Sequence, residues 1–191
     1  ASNYPIAVAE LVDGLGARTG FDYAAVDSAR KPLSYTEAPF GAPQAVAETA
    51  PTEVTAVAEY RLSDGRGADG YRRWRYGYKS TPQRSTSGRG YTGFHEVRST
   101  DVQSGIVTYT QTRLDWPFAG AVSQQRSFDA PFGSHGRELA REEHAFAQKV
   151  HGNGSRHAYR SRSARWLLEG SSVVGGTLEQ VSYCFRGLSG D

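Results

Sequence analysis

One short run alternates arginine with aromatic residues and carries the side chains best suited to binding. Trp74, Tyr76 and Tyr78 are interleaved with Arg73 and Arg75. Aromatic rings with nearby cations can stack on the bases of single-stranded nucleic acid or on sugar rings. In a β-strand the three aromatics would share one face and the two arginines the other. The alternative, which we favour, is that the aromatics pack between strands and the arginine stems cover them.

The charge distribution raises the same question of nucleic-acid binding. Residues 1–60 carry eight acidic and three basic side chains, whereas residues 61–98 carry nine basic and three acidic ones. A basic segment can attract nucleic acid or an acidic surface. It can equally be the solvated face of strands that pair with acidic neighbours. The second interpretation is the simpler one, and we expect no nucleic-acid partner.

Patterns for catalysis or metal binding are not found in the sequence. No Gly-x-Ser-x-Gly motif occurs, and Gly65-Arg66-Gly67 and Gly88-Arg89-Gly90 lack the context of a phosphate-binding loop, so they predict turns. The single cysteine, Cys184, excludes a disulfide framework and a cysteine-built zinc site. No His-Glu-x-x-His spacing occurs among the five histidines, which are His95, His135, His144, His151 and His157. We expect no enzyme activity, no metal and no cofactor.

The elements that must position these side chains read as strands and tight turns. Residues 54–61 alternate as a strand, with Val54, Ala56, Ala58 and Tyr60 predicted on one face, and pair with residues 71–78 in a hairpin. A second hairpin joins residues 94–99 to residues 106–113 through a turn at 101–105. An aromatic content of 12% and 22 glycines suit such a fold. The sequence predicts an all-β protein of successive antiparallel hairpins that form a strip of large twisted sheet.

Three parts follow one another along the chain. Residues 1–53 contain a turn at 11–16 that enters a strand, and an Ala/Pro-rich stretch at 36–52 that predicts a connecting surface loop. Residues 54–120 contain the two hairpins. Residues 121–191 read as a series of strands, although Leu139, Glu143, Phe146 and Val150 have helical spacing. Local propensity therefore favours a helix over residues 137–150.

Four motifs follow one another within residues 75–120. They are Arg-Tyr-x-Tyr from Arg75, Gly-Arg-Gly-Tyr-x-Gly-Phe from Gly88, Asp-x-x-x-Gly from Asp101 and Asp-x-Pro-Phe-x-Gly from Asp115. This ordered succession resembles the Rhs/YD-repeat proteins, and among them the B component of bacterial insecticidal toxin complexes. Turns followed by aromatic strands near residues 13–23 and 64–78 resemble the YD repeat. The order of strand-forming segments after the Pro-Phe-x-Gly motif is similar too, and on this ground we predict a strand over residues 137–150.

The resemblance implies a strip of β-sheet that forms part of a hollow shell around a toxic polypeptide. Implied partners are the rest of the same large polypeptide, a C-like component and the enclosed toxin, and the implied location is secreted or at the bacterial cell surface. The chain departs from the family at Trp116, where phenylalanine is commoner, and at Cys184-Phe185, where Tyr-Asp is expected. Residues 129–133 do not match the family's self-cleavage signature. No catalytic residue is therefore implied.

The ends and overall composition add further expectations. The chain has no methionine and starts Ala-Ser-Asn, which predicts a fragment of a longer polypeptide. No signal peptide is visible, and the apolar runs are too short to insert into a membrane. Two other functions stay open: a secreted β-rich module that binds carbohydrate or a host-cell surface, and a small hydrolase or nuclease domain.

Overall fold

The computed structural model describes residues 8–26, 39–40, 47–49, 54–65, 70–79, 83–85, 91–131, 133–134 and 136–180. All regular secondary structure within these ranges is β-strand, which confirms the all-β prediction. Ten strands form one open antiparallel sheet, and three short strands form a second sheet. A helix of the length and apolar character needed to span a membrane does not occur in the described part of the chain.

The strands of the large sheet lie side by side in the order in which they occur along the chain. They are β1 Glu10–Val12, β2 Arg18–Val26, β4 Val54–Ser63, β5 Tyr71–Lys79, β8 Glu96–Asp101, β9 Val107–Thr112, β10 Val122–Phe128, β11 Glu138–Val150, β12 Arg156–Glu169 and β13 Ser172–Gln180. The small sheet contains β3 Ala47–Thr49, β6 Gln83–Ser85 and β7 Tyr91–Gly93. The large sheet is therefore a meander in which each strand pairs with its neighbours in sequence once the three short strands are set aside.

The predicted hairpins are confirmed. β4 pairs with β5 and β8 with β9, each antiparallel. The turn predicted at residues 11–16 also forms, and it joins β2 to a further short strand, β1, that the sequence did not indicate. In that turn Leu15 N and Ala17 N donate to Asp13 Oδ1 at 2.9 and 2.8 Å. Gly16 has a φ of +83°, a left-handed conformation that glycine adopts without steric cost. The predicted turn is thus made by the Asp13 side chain and a left-handed glycine.

The turn between β8 and β9 is fixed by one carboxylate. Asp101 accepts hydrogen bonds from Gln103 N at 3.0 Å and Ser104 N at 3.3 Å on Oδ1, and from Arg72 Nη2 at 2.6 Å on Oδ2. The hydrogen bond from Arg72 lowers the pKa of Asp101, and this effect outweighs the opposite effect of burial. The Gln103 side chain bonds the backbone of β5 at Arg73 N and Tyr71 O. The turn is therefore tied to the neighbouring strand.

Replacing Asp101 by alanine is expected to lower the free energy of unfolding by about 2 kcal/mol, because two backbone amides lose their acceptor and Arg72 loses its partner. Asp101→Asn should cost less, since its amide oxygen can still accept from the turn. Urea unfolding measures both changes. The matched control is Asp13→Ala, which removes the same kind of turn bonds at an exposed site without an arginine. An equal loss for Asp13→Ala and Asp101→Ala would contradict this account.

Residues 138–150 form the long strand β11, as the family resemblance implied and against their local helix propensity. β11 pairs with β10 on one side and along its length with β12 on the other. Backbone hydrogen bonding to two neighbours outweighs a helix preference of a few tenths of a kcal/mol per residue. The turn that follows is also as predicted: His151 N donates to Ser155 O at 2.8 Å.

Two predictions about the N-terminal half need correction. Within the stretch predicted as a surface loop, Phe40 is buried and Ala47–Thr49 form a strand. Phe40 packs into the core because it is a large apolar side chain placed against the sheet. The alternation predicted for Val54–Arg61 is also broken, since Asp22 pairs with Glu59 and Tyr23 with Val57. The extra residue at Ala58 makes a β-bulge, which interrupts the period of two.

The core of the described residues is small and divided. Phe40, Val107, Tyr109 and Phe128 form one cluster, and Val26 and Tyr78 form another. Tyr109 meets Phe128 edge-on with ring centroids 5.7 Å apart. Apolar side chains remain exposed toward both ends of the large sheet, among them Leu11, Val12, Leu167, Val173, Val174 and Leu178. Within the described ranges, much of the sheet is thus a single layer.

Candidate binding surfaces

The aromatic residues predicted for binding lie on β5 and contact other side chains of the sheet. The ring centroid of Trp74 lies 5.3 Å from that of Tyr60 on β4. The guanidinium carbon of Arg72 lies 4.9 Å from the Trp74 ring centroid. Trp74 therefore has an aromatic neighbour and a cationic one.

Tyr78 is the most buried member of this set. Its hydroxyl donates to Val57 O at 2.8 Å, and its ring lies 4.3 Å from that of Phe94. Burial raises the pKa of Tyr78 to about 12, and the electrostatic effect of the nearby Tyr76 acts in the same direction. Burial and the nearby Tyr60 also raise the pKa of Tyr76. Both phenols therefore stay neutral at physiological pH.

The two predicted arginines are exposed and differ in their partners. Arg75 Nε donates to Glu59 Oε2 at 3.2 Å across the β4–β5 pair. Arg73 pairs with Arg61 in the register, so two like charges are adjacent on the surface. Each of the three aromatic side chains contacts other residues of the sheet. Ligand binding by these three aromatics and two arginines stays a prediction.

A second surface, which sequence reasoning missed, lies on one face of β11, β12 and β13 around Trp166. We call it the Trp166 surface. In the register, Arg141 pairs with Trp166 and Trp166 with Gly176, so the three share a face. Further members, placed by the same register or by lining the adjoining depressions, are Glu143, Arg162, Ala164, Leu168, Val173 and Leu178. Trp166 is partly exposed.

Gly176 makes room for the indole. A Cβ atom at this position would lie 3.3 Å from Trp166 Cδ1 and 2.9 Å from Arg165 O. Any larger residue would push the backbone or the ring aside. On the opposite face Leu167 pairs with Gly175. On each face of the sheet, a large side chain of β12 thus lies opposite a glycine of β13. A large side chain on the neighbouring strand commonly fills the space over a strand glycine.

Two depressions adjoin Trp166. One has a volume of about 310 Å³ and is lined by Arg141, Glu143, Trp166, Leu168 and Val173. The other has a volume of about 320 Å³ and is lined by Arg162, Ala164, Trp166, Gly176, Thr177 and Leu178. Both are open to solvent, and the indole is common to both. The surface is therefore a shallow trough across three strands with an aromatic ring at its centre.

The polar groups of the trough differ in how firmly they are held. Arg141 donates to both carboxylate oxygens of Glu138 at 2.9 Å, which raises the pKa of Arg141 further. Glu143 Oε1 accepts from Gln124 Nε2 at 2.9 Å. Arg162 is exposed and forms no ion pair with any residue that the structure describes. The trough therefore offers two positioned groups and one guanidinium that can still take a partner.

The histidines and the cysteine named in the sequence do not form a site in the described ranges. His95 is half-buried, its Nε2 lies 3.2 Å from Gln111 Nε2, and burial lowers its pKa. His144 Nε2 lies 3.4 Å from Glu142 Oε1. His135 and Cys184 lie outside the described residues, as do Gly88-Arg89-Gly90. In the part of the chain that is described, no three His, Cys, Asp or Glu side chains are grouped to hold a metal.

Comparison with protein-family models, curated proteins and solved structures finds no match to this chain.

Proposed function

We propose that this chain is a noncatalytic structural segment of an Rhs/YD-repeat protein similar to the toxin-complex B component. In this role the sheet is one panel of a β-shell that encloses a toxic polypeptide. The partners are other parts of the same large polypeptide, a C-like component and the enclosed toxin. The location is secreted or at the bacterial cell surface.

The observation that carries this proposal is the form of the large sheet. Its ten strands follow chain order, and the described residues include no strand beyond β1 or β13. A sheet edge with free backbone groups is a template for another strand. β13 is nine residues long, and nearly all of its side chains are exposed. An open meander of this kind can be extended strand by strand, as a panel within a longer wall requires.

The small, divided core supports the same role. Eight apolar side chains are buried among the described residues, namely Val26, Phe40, Tyr78, Val107, Tyr109, Leu114, Phe128 and Ala164. A compact globular domain of this length commonly buries a larger continuous core. Exposed apolar side chains near the two edges of the sheet, such as Leu11, Val12 and Val174, then serve contacts with adjoining segments.

Protection of the downstream polypeptide tests the proposal. The full reading frame that contains this segment would be expressed and treated with protease under native conditions. We expect the polypeptide downstream of the shell to resist digestion. Deleting residues 156–180, which removes the β12–β13 hairpin, should expose it to digestion at the rate of the same polypeptide expressed alone.

A matched control inserts two glycines in the exposed turn at residues 152–154, which lengthens a loop and leaves every strand in place. Protection should persist in this variant. A reading frame with no shell-sized region around this segment would contradict the proposal. So would a downstream polypeptide that is digested equally with and without the hairpin.

A further inference from the structure

We propose that the Trp166 surface is a binding site for a neutral oligosaccharide. This inference does not depend on the shell proposal, because it concerns one face of β11–β13 whatever surrounds the sheet. It also differs from the site predicted from the sequence, which lies on β5.

The aromatic ring supplies the first element of sugar recognition. Trp166 lies over Gly176 and is partly exposed between two open depressions. The apolar C–H face of a sugar ring packs against an aromatic ring, and tryptophan offers the largest area for this contact. Depressions of about 310 and 320 Å³ adjoin the indole, and each is of the size of a small-ligand site. A chain of two or more sugar units could therefore cross the ring.

The polar groups supply the second element. A sugar hydroxyl both donates and accepts, so it needs donors and acceptors close to the ring. Arg141 and Arg162 donate from planar guanidinium groups, and the Glu143 carboxylate accepts. Arg141 and Glu143 are held by Glu138 and Gln124, so two of the three groups are positioned before any ligand arrives. Preorganised polar groups reduce the entropy lost on binding.

The arrangement of charge favours a neutral ligand over a polyanion. β12 carries four arginines, but Arg162 and Arg165 are three residues apart and so point to opposite faces. Within the trough the carboxylate of Glu143 offsets one of the two guanidinium groups. A nucleic acid or a sulfated chain would need a row of cations on one face. A peptide anchor would need an enclosed apolar pocket, whereas these depressions are open.

A printed array of neutral, sialylated and sulfated glycans, probed with the full chain, tests the inference. We expect binding to neutral glycans that persists at about 0.5 M salt, where charge attraction between exposed groups is largely screened. Trp166→Ala should weaken binding about tenfold or more. The matched control is Leu167→Ala, the next residue on β12, which faces Gly175 on the opposite side of the sheet and should leave binding unchanged.

A thermal melt of each variant shows whether it is folded. If Trp166→Ala fails to fold, Arg162→Ala tests the inference instead. Arg162 is exposed and has no ion pair in the described ranges, so it can be replaced without loss of packing. Binding by this variant should fall severalfold. Three results would overturn the inference. The first is that no glycan binds, and the second is that binding is confined to sulfated glycans and lost in high salt. The third is equal binding by wild type and the folded Trp166 or Arg162 variant. Loss of binding in Trp74→Ala with retention in Trp166→Ala would overturn it as well.

Discussion

Replacing Glu138 by glutamine is expected to lower the free energy of unfolding by about 3 kcal/mol. The carboxylate of Glu138 accepts hydrogen bonds from two arginines, Arg126 on β10 and Arg141 on its own strand. The Glu138 side chain is 11% exposed and that of Arg126 is 17% exposed. Losing the carboxylate would leave Arg126 nearly buried without its counter-charge. That cost is larger than the value of the ion pair itself.

The same substitution is expected to weaken the attachment of a distant segment. Arg126 Nη1 donates to Pro39 O at 3.0 Å, and the neighbouring Phe40 is buried in the core. Urea unfolding of wild type and Glu138→Gln measures the change. Glu142→Gln is the matched control on the same strand, because Glu142 is 35% exposed and its carboxylate lies 3.4 Å from His144 Nε2 without an arginine partner in the described ranges. We expect the control to cost about 0.5 kcal/mol or less. Equal losses in the two variants would contradict the role of Glu138.

The effect of Glu138→Gln should depend on pH. Burial alone would raise the pKa of Glu138, but the hydrogen bonds and charges of Arg141 and Arg126 outweigh it and lower the pKa from 4.5 to about 2. A carboxyl group whose pKa is lower in the folded chain than in the unfolded chain stabilises the fold at pH values above its unfolded pKa. The difference in stability between wild type and Glu138→Gln should therefore be complete above about pH 4.5 and shrink as the pH falls toward 2. A difference that stays constant with pH would show that charge is not its cause.

Replacing Phe128 by alanine is expected to lower the free energy of unfolding by about 3–5 kcal/mol. Phe128 is 2% exposed, lies edge-on to Tyr109 and clusters with Phe40 and Val107. The guanidinium carbon of Arg126 lies 5.3 Å from the Phe128 ring centroid. Arg126 would therefore still cover the cavity that the substitution leaves. A cavity that its surroundings cannot fill gives the higher end of the range.

Denaturant unfolding with a constant slope measures the loss for Phe128→Ala. The control is Val150→Ala on β11, where the side chain is 54% exposed and the cost should be about 0.5 kcal/mol or less. If Phe128→Ala costs no more than Val150→Ala, the cluster around Tyr109 does not hold the sheet together.

The sequence predicts the architecture well because each hairpin is encoded locally. Turn residues such as Asp13 and Asp101 are adjacent to the strands that they connect, and strand alternation is visible in the same stretch. The helix-like spacing of residues 137–150 shows the limit of local patterns. Those residues become a strand because β10 and β12 both offer backbone partners.

The features that local patterns did not predict depend on contacts across the fold. Phe40 is far in sequence from Tyr109 and Phe128, and nothing near residue 40 indicates this cluster. The bulge at Ala58 depends on the register with β2. The Trp166 surface depends on which residue of β13 faces the indole, and a register shift between Leu167 and Leu168 sets that pairing. The sequence feature that could have indicated this surface is the pair Gly175-Gly176, taken together with the large residues Trp166 and Leu167.

The chain order of the strands has a consequence for how this protein acquires its structure. Once the three short strands are set aside, each new strand of the large sheet pairs with the large-sheet strand before it. Most of these pairings close over short connections, and the exceptions are β2 with β4, across residues 27–53, and β5 with β8, across residues 80–95. Folding can therefore proceed from the N-terminus as the polypeptide leaves the ribosome, one hairpin after another. The contact between Pro39 and Arg126 is different, because it joins residues 87 positions apart. Closure of that long loop is expected to be the slow step, after the meander has grown past β10.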